Sequence, residues 1–316
     1  MIDYSKEFEA IAKAYEASGG NPDDLFDKKT ASLVVSHHKI LFQNSIPGVN
    51  IDGEEIQNGV KARIVIEPET VVKDPVHLCF GVIPEEGIQE IVSEFEIGEG
   101  AKVNFIAHCS FPNAIKLKHI MDSKIHVNKN AEMNYVETHF HGKDGGIEVL
   151  PVTKAVVEEG GRLRSEFKLI KGAVGKLDLD YEGKLEKDAL CEFDTKVYGK
   201  GDDKVLVKES LFLNGENSRG LAKSRIVATG RCVAEVLGEA VGNAPNARGH
   251  VDCVEIIKGK DARVSAVPKL LVVDDGAKLT HEAAIGSVDK KQVETLMARG
   301  LDEDEAVDVV VKGMLR

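Results

Sequence analysis

Residues 157–163 read VEEGGRL, and variants of this heptapeptide recur along the chain. Each has an apolar residue, two further residues, a turn-forming residue, a small residue or arginine, one more residue and a second apolar residue. The copies are IGEGAKV at 97, VNKNAEM at 127, VEEGGRL at 157, LEKDALC at 185, VATGRCV at 227 and VDDGAKL at 273. The first four begin 30, 30 and 28 residues apart. A period of this size predicts a solenoid, in which each repeat packs only against its neighbours.

A shorter spacing indicates how many strands each repeat contains. The related segment KGKDARV begins at residue 258, 15 residues before VDDGAKL. A spacing of 15 residues is half of the 30-residue repeat, and it predicts two or more strands in each coil. The expected fold is therefore mainly β, a right-handed parallel β-helix. A β-sandwich with common Gly-Ala turns is the alternative, because such turns occur in many β proteins.

The two ends of the chain have helical rather than β patterns. Residues 4–17 carry apolar residues at helical spacing and end at a pair of glycines. Near the C-terminus, a predicted helix stops at Gly300, and Asp302 with Glu305 forms a capping box for a second helix. We expect an N-terminal helical segment over 1–30 that forms a short cap, a β-helix core over 31–286 and a C-terminal helical hairpin over 287–316. The hairpin would either cap the open end of the solenoid or provide a docking surface.

The composition indicates an acidic globular protein. The chain has 316 residues, of which 42% are apolar, with a formal net charge of −12 and an isoelectric point near 5.4. No basic stripe is present for nucleic-acid binding, and neither a signal-peptide pattern nor a long apolar run indicates membrane insertion. We expect a cytoplasmic protein without nucleic-acid or membrane partners. The five cysteines are widely spaced and form no C-x-x-C pair, which favours free thiols.

Histidine and cysteine are concentrated in the first half of the predicted solenoid. Cys109 and His139 each lie nine residues beyond the turn residue of their repeat, Gly100 and Asn130 respectively. Parallel stacking would make them neighbours on adjacent coils, roughly 4.8 Å apart. His139 and His141 would share a face. The further residues of this kind are His77, Cys79, His108, His119 and His126. They indicate a metal or sulfur site, or else histidines that hydrogen-bond along the strand ladder.

Three segments resemble a known family, the SufB/SufD proteins of iron–sulfur cluster assembly in the SUF system. THEAAIGSVDKKQVETLMARGLDEDEA (280–306) resembles the family's closing signature of a strand end and two helices. ARGHVDCVEIIKGKDARVSAVPKL (247–270) is similar to the strand pair that carries the scaffold cysteine. GEGAKVNFIAHCSFP (98–112) is similar to an earlier core segment. The resemblance spans about residues 90–316, and the family's parallel β-helix between helical ends agrees with the repeats.

The resemblance implies a set of functional residues. Cys253 matches a cysteine that holds a cluster or persulfide at a subunit interface, and His281 matches an interface histidine of the family. Glu282 matches the SufB form of this motif, so the implied metal ligands are Cys253, His281 and Glu282. Cys109 matches the core cysteine that accepts sulfur from a donor protein. Iron accepts thiolate and imidazole, and a weakly held carboxylate suits a transient cluster.

The same resemblance implies a scaffold rather than an enzyme. It predicts a transient iron–sulfur cluster, persulfide sulfur, a homodimer or a complex with a SufB/SufD paralogue, and a sulfur donor protein. It also predicts a SufC-like ABC ATPase bound through residues 288–315. The chain has no phosphate-binding loop of its own, since GAVGKLD at 172 has the wrong spacing. The alternatives are a SufD-like partner without a cluster, a β-helix enzyme acting on polysaccharide, and a purely structural adaptor.

Overall fold

The computed structural model describes residues 4–25, 27–143 and 145–315. Three α-helices are present in these ranges, α1 (Tyr4–Ser18), α2 (Lys290–Met297) and α3 (Glu303–Met314), with a 3₁₀ turn at Pro22–Leu25. The first strands are β1 (Ser32–Ser36), β2 (Lys39–Asn44), β3 (Val49–Ile56), β4 (Gly59–Ile66), β5 (Val76–Gly81), β6 (Glu86–Ile97), β7 (Lys102–Phe111), β8 (Lys116–Val127), β9 (Glu132–His141) and β10 (Ile147–Val157). They continue as β11 (Arg162–Lys171), β12 (Gly175–Leu185), β13 (Leu190–Gly199), β14 (Lys204–Leu213), β15 (Arg219–Thr229), β16 (Val233–Gly242), β17 (Arg248–Lys258), β18 (Arg263–Val272) and β19 (Lys278–Ser287).

The strands form a parallel β-helix of about eight turns, which confirms the predicted fold class. Odd-numbered strands from β5 to β19, with β1 and β2, form one sheet, sheet A. Even-numbered strands from β6 to β18, with β3 and β4, form a second sheet, sheet B. Each coil therefore has two strands, as the half-period predicts. Apolar side chains of both sheets alternate inward and fill the space between them as one continuous core.

The repeated heptapeptide is the turn that links sheet B to sheet A. In the copies at 97, 127, 157 and 185 the turn-forming residue has a positive φ of 57–69°, at Gly100, Asn130, Gly160 and Asp188. Asn217 and Asn246 have the same conformation in two later turns from sheet B to sheet A, whereas Gly276 in the copy at 273 does not. Glycine, asparagine and aspartate are the residues that adopt this left-handed conformation most readily. The next residue is buried inside the corner, as at Ala101, Ala131 and Ala189. The copy at 227 differs, because it links β15 to β16 on the opposite side of the coil.

Two antiparallel hairpins begin the β-helix, a feature that the sequence did not predict. β1 pairs with β2 and β3 pairs with β4, and each hairpin joins one sheet. Helix α1 lies on the outer face of sheet A instead of over the end of the coil. Its Ile11 and Tyr15 pack there with Leu25, Val34 and Cys79.

The C-terminal helical hairpin also packs on the outside of sheet A. Val293 on α2 and Val307 and Val311 on α3 form a separate apolar cluster that includes Val227 of β15. The predicted capping box at Asp302 and Glu305 is confirmed. The hairpin does not cover the last coil, so β18 and β19 each end a sheet with a free edge.

Candidate functional site

Cys109, His119 and His139 meet inside the β-helix. Cys109 on β7 pairs directly with His139 on β9, which confirms the register predicted from the turns. His119 projects from β8 in the opposite sheet. One ligand atom of each residue lies within 4.8 Å of the other two, and all three residues are buried. The arrangement brings a thiol and two imidazoles to one point in the core.

A hydrogen-bonded carboxylate holds His139 in place. Its Nε2 lies 2.7 Å from Oε1 of Glu137, and its Nδ1 lies 3.3 Å from Nε2 of His141. The Tyr135 hydroxyl donates to the other oxygen of Glu137 at 2.9 Å. All four side chains point inward from β9 because they occupy alternate positions of one strand. This strand therefore presents a polar ladder to the interior.

Burial determines the protonation of this cluster. It raises the pKa of the Cys109 thiol well above the usual value, with smaller contributions from Glu137 and Cys79. It also lowers the pKa of His119 and of His141 well below the usual value, with a further contribution from His139. At neutral pH the two imidazoles are uncharged and have an electron pair to share. The Cys109 thiol remains protonated unless a cation compensates its charge.

Further polar side chains extend this cluster along the interior of the solenoid. The Thr195 hydroxyl donates to Glu209 at 2.6 Å, and the Ser224 hydroxyl donates to Glu255 at 3.0 Å. Ser224 is also the residue on β15 that pairs directly with Cys253 on β17. We call a set of twelve inward-facing side chains the interior row: Cys109, His119, Glu137, His139, Thr153, Ser165, Tyr181, Thr195, Glu209, Ser224, Cys253 and Glu255. The interior row places at least one polar side chain in every coil from β7 to β17.

The predicted interface residues lie at the other end of the interior row. Cys253 on β17 is 1% exposed, pairs with Ala283 on β19 and faces inward. His281 pairs with the inward-facing Val251, so it faces the same way as Cys253, but it is exposed at the end of the coil. Glu282 pairs with Asp252 and points to the outer face. Within one chain, Cys253 and His281 therefore share a face that Glu282 does not. Burial raises the pKa of Cys253 to about 11.

The remaining histidines of the predicted cluster lie outside the coil. His77 and His108 face outward beneath α1, where the Tyr15 hydroxyl lies 3.1 Å from Nδ1 of His77. The ring of Tyr15 also packs edge-on against His108, with centroids 4.4 Å apart. His126 bridges Glu96 and Glu158 across the outer face, at 3.2 Å from each. His126 thus follows the alternative in which histidines hydrogen-bond along the ladder.

Glu137, Thr195 and Glu209 were not predicted as site residues. The signal that could have found them is alternation, because each stands at an inward position between apolar residues of its strand. In EMNYVETHFH (132–141), for example, Met133 and Tyr135 are buried at the same parity as Glu137. Polar residues at inward positions are rare, since burial without partners costs free energy.

Comparison with known proteins identifies a family that this chain resembles over most of its length. The family described as "SUF system FeS cluster assembly, SufBD core domain" matches residues 85–314. An iron–sulfur cluster assembly SufBD family protein of Methanocaldococcus jannaschii is 41% identical over 99% of both chains. One from Pyrococcus horikoshii is 37% identical, covering 99% of this chain and 95% of the relative. One from Archaeoglobus fulgidus is 32% identical over 78% of this chain and 66% of the relative.

None of the described helices has the length and apolar character needed to cross a membrane. The match over residues 85–314 covers seven of the eight coils and the C-terminal hairpin. Together with the relatives aligned over almost the whole chain, it gives the family directly. The chain belongs to the SufBD family of iron–sulfur cluster assembly proteins.

Proposed function

We propose that this chain is a non-enzymatic scaffold for iron–sulfur cluster assembly. In this proposal Cys109 attacks the outer sulfur of a persulfide on a donor protein, so that Cys109 becomes the persulfide and the donor leaves as a thiol. A cluster is then assembled transiently at a dimer interface that includes Cys253, His281 and Glu282. The interior row carries the proposal, because it connects Cys109 with Cys253 through the core of the molecule.

The interior row is costly to maintain as a structural feature alone. Replacing both partners of a buried hydrogen bond by apolar residues of similar shape can be nearly neutral or even stabilising, so stability alone does not require these polar residues. Glu209 and Glu255 are especially unfavourable, since burial raises their pKa to about 8 and about 7. A row that continues from coil to coil is what transfer of a polar sulfur species between two buried thiols requires.

The last coil supplies the proposed dimer interface. β18 and β19 end their sheets with unpaired backbone groups, which can pair with a second copy. Apolar side chains on or beside β18 are also exposed, with exposed fractions of 50% at Val267, 48% at Leu271 and 64% at Val273. Edge pairing about a two-fold axis would bring His281 and the end of the interior row of both copies together. A paralogue of the family could take the place of the second copy.

The C-terminal hairpin supplies the proposed ATPase-binding surface. Residues 288–315 include α2 and α3, which are held on sheet A by their buried faces. Their outer faces still expose Met297 and Val309, at 41% and 47%. A SufC-like ABC ATPase is the proposed partner, and exposed apolar residues on a helical hairpin fit docking into a partner groove.

Anaerobic reconstitution with iron and sulfide tests the scaffold role. The wild-type protein is expected to give a cluster absorption spectrum, and Cys253→Ala is expected to lose it. Cys232→Ala removes another buried thiol that lies away from the interior row and is the matched control. Iron, sulfide and oligomeric state are measured in the same samples.

A Cys253→Ala variant with a normal cluster would contradict the interface site. No cluster in either protein would indicate the SufD-like alternative, in which the chain holds an assembly together without a cluster of its own. The control variant separates loss of a ligand from a general effect of removing a buried thiol.

A further inference from the structure

We propose that Cys109, His119 and His139 bind one divalent transition-metal ion inside the β-helix. The ion belongs to the class that accepts thiolate and imidazole together, which includes Fe²⁺, Co²⁺ and Zn²⁺. This site is separate from the interface site, since five coil steps lie between β7 and β17. The inference does not depend on cluster assembly at Cys253.

The geometry fits a single ion with small side-chain adjustments. The three ligand atoms lie within 4.8 Å of one another. Ligands of a tetrahedral ion at ordinary bond lengths lie about 3.3–3.6 Å apart. In the proposed site, a rotation of the His119 side chain toward β7 and β9 closes this difference. Direct pairing of Cys109 with His139 fixes the other two ligands on neighbouring strands.

His119 provides independent evidence for a ligand at this position. It is 0% exposed, and neither of its ring nitrogens has a hydrogen-bond partner within the part of the chain that the structure describes. Buried polar atoms of native proteins nearly always have a partner. A metal ion would give the His119 imidazole an electron-pair acceptor that no described protein group supplies.

Glu137 completes the arrangement expected around a metal-bound histidine. When His139 donates from Nε2 to Glu137, the electron pair of its ring lies on Nδ1, and a bound metal ion would replace the present 3.3 Å contact of Nδ1 with Nε2 of His141. A carboxylate that orients a ligating histidine is the usual second partner of a metal site. The Cys109 thiolate and the Glu137 carboxylate together carry two negative charges. They balance the charge of a divalent ion in a buried site, and the thiol proton is released to solvent on binding.

Aromatic side chains enclose the cluster and determine which ions suit it. The ring of Phe111 lies 4.7 Å from that of His119, and the ring of Phe167 lies 4.8 Å from that of His139. These walls leave a sulfur and nitrogen ligand set in apolar surroundings. Mg²⁺ and Ca²⁺ prefer oxygen ligands and water, so the site selects against them.

Cobalt titration of the full-length protein under anaerobic conditions tests the site. All measurements use a Cys253→Ala background, so that the interface thiol cannot contribute. Co²⁺ is expected to give a thiolate-to-metal charge-transfer band that saturates at one ion per chain. Cys109→Ala and His119→Leu are expected to lose this band, and Mg²⁺ is not expected to compete. Cys191→Ala removes an equally buried inward-facing thiol on β13 and is expected to retain the band.

Glu137→Gln tests whether the Glu137 carboxylate supports metal binding by orienting His139. It is expected to keep the band but to weaken Co²⁺ affinity about 10- to 100-fold, measured by competition with a chelator. Folding of each variant is checked by far-ultraviolet circular dichroism. His119→Leu remains informative because it replaces an unpartnered imidazole by an apolar group of similar size. The proposal would be overturned if the Cys253→Ala protein, with all three ligands in place, gave no charge-transfer band. It would also be overturned if folded Cys109→Ala or His119→Leu kept the band unchanged.

Discussion

Glu209 is an ionisable residue in the interior row, and its environment makes stability depend on pH. It is 2% exposed and accepts a hydrogen bond from Thr195. It also interacts electrostatically with Tyr181, Cys191 and Cys253, and with Asp194 on the outer face. Burial raises its pKa from 4.5 to about 8. At neutral pH the folded chain keeps a proton on Glu209 that the unfolded chain has lost.

Glu209→Gln should reduce the pH dependence of folding. Between the unfolded pKa of 4.5 and the folded value of about 8, the wild-type folded state binds one more proton at Glu209. This group therefore lowers the free energy of unfolding as the pH rises, by at most about 1.4 kcal/mol per pH unit. Glutamine keeps an acceptor for Thr195 but does not ionise. Urea unfolding of both proteins between about pH 5 and pH 8 measures the difference.

Glu235→Gln is the control for this measurement, because Glu235 is exposed on the outer face of β16. Its curve of stability against pH should parallel that of the wild type. If the curve of Glu209→Gln were also parallel to the wild type, Glu209 would not be protonated in the folded chain.

At the scale of elements, the turns explain why the fold could be predicted. Most turns from sheet B to sheet A have one residue in the left-handed conformation and one small residue in the corner, and both requirements act locally. Asn130 and Asp188 satisfy the first requirement as glycine does elsewhere. Counting from these turns also predicted the pairing of Cys109 with His139. The contribution of His119 could not be predicted this way, because it comes from the opposite sheet.

The C-terminal hairpin leads to a prediction about partner binding. Met297→Asp and Val309→Asp place charges on the exposed faces of α2 and α3, which are not needed to hold the hairpin on sheet A. They should weaken binding of a SufC-like ATPase at least tenfold while leaving thermal unfolding nearly unchanged. Calorimetric titration with the purified ATPase measures this. Unchanged affinity in the double variant would contradict docking through residues 288–315.

At the scale of the whole molecule, the free edges of the last coil predict self-association. Val267→Asp with Leu271→Asp introduces charges on the outer face of β18, where the wild-type residues are about half exposed. The double variant should shift a dimer toward monomer, because a charge buried in an interface without a partner is costly. Analytical ultracentrifugation across a concentration series measures the shift.

The hairpin variant Met297→Asp with Val309→Asp is the matched control for self-association. It carries the same number of new charges on a different surface and should leave the oligomeric state unchanged. A wild-type protein that is monomeric at all concentrations would contradict the homodimer.

The sequence predicted the repeated coils far better than it predicted the elements at the two ends of the β-helix. Each repeat packs on its neighbours in the same way, so recognising the repeat in the sequence was enough to predict most of the β region. The N-terminal hairpins are antiparallel and have no repeat, and the positions of α1 and the C-terminal hairpin depend on packing against the outer face of sheet A. Tyr15 and Val293 are apolar in either arrangement, so their pattern alone does not say which surface they cover.

The two-strand coil also restricts how such a molecule can change in length. Small differences in repeat length are taken up in the turns, as in the shorter connection between β11 and β12 than between β9 and β10, so the number of stacked strands changes only when a whole repeat is added or removed. Cys109 and Cys253 lie five coil steps apart, or about 24 Å along the axis. Each added or removed repeat would change this separation by about 4.8 Å. The distance between the two thiols along the axis is therefore determined by the number of repeats that separate them.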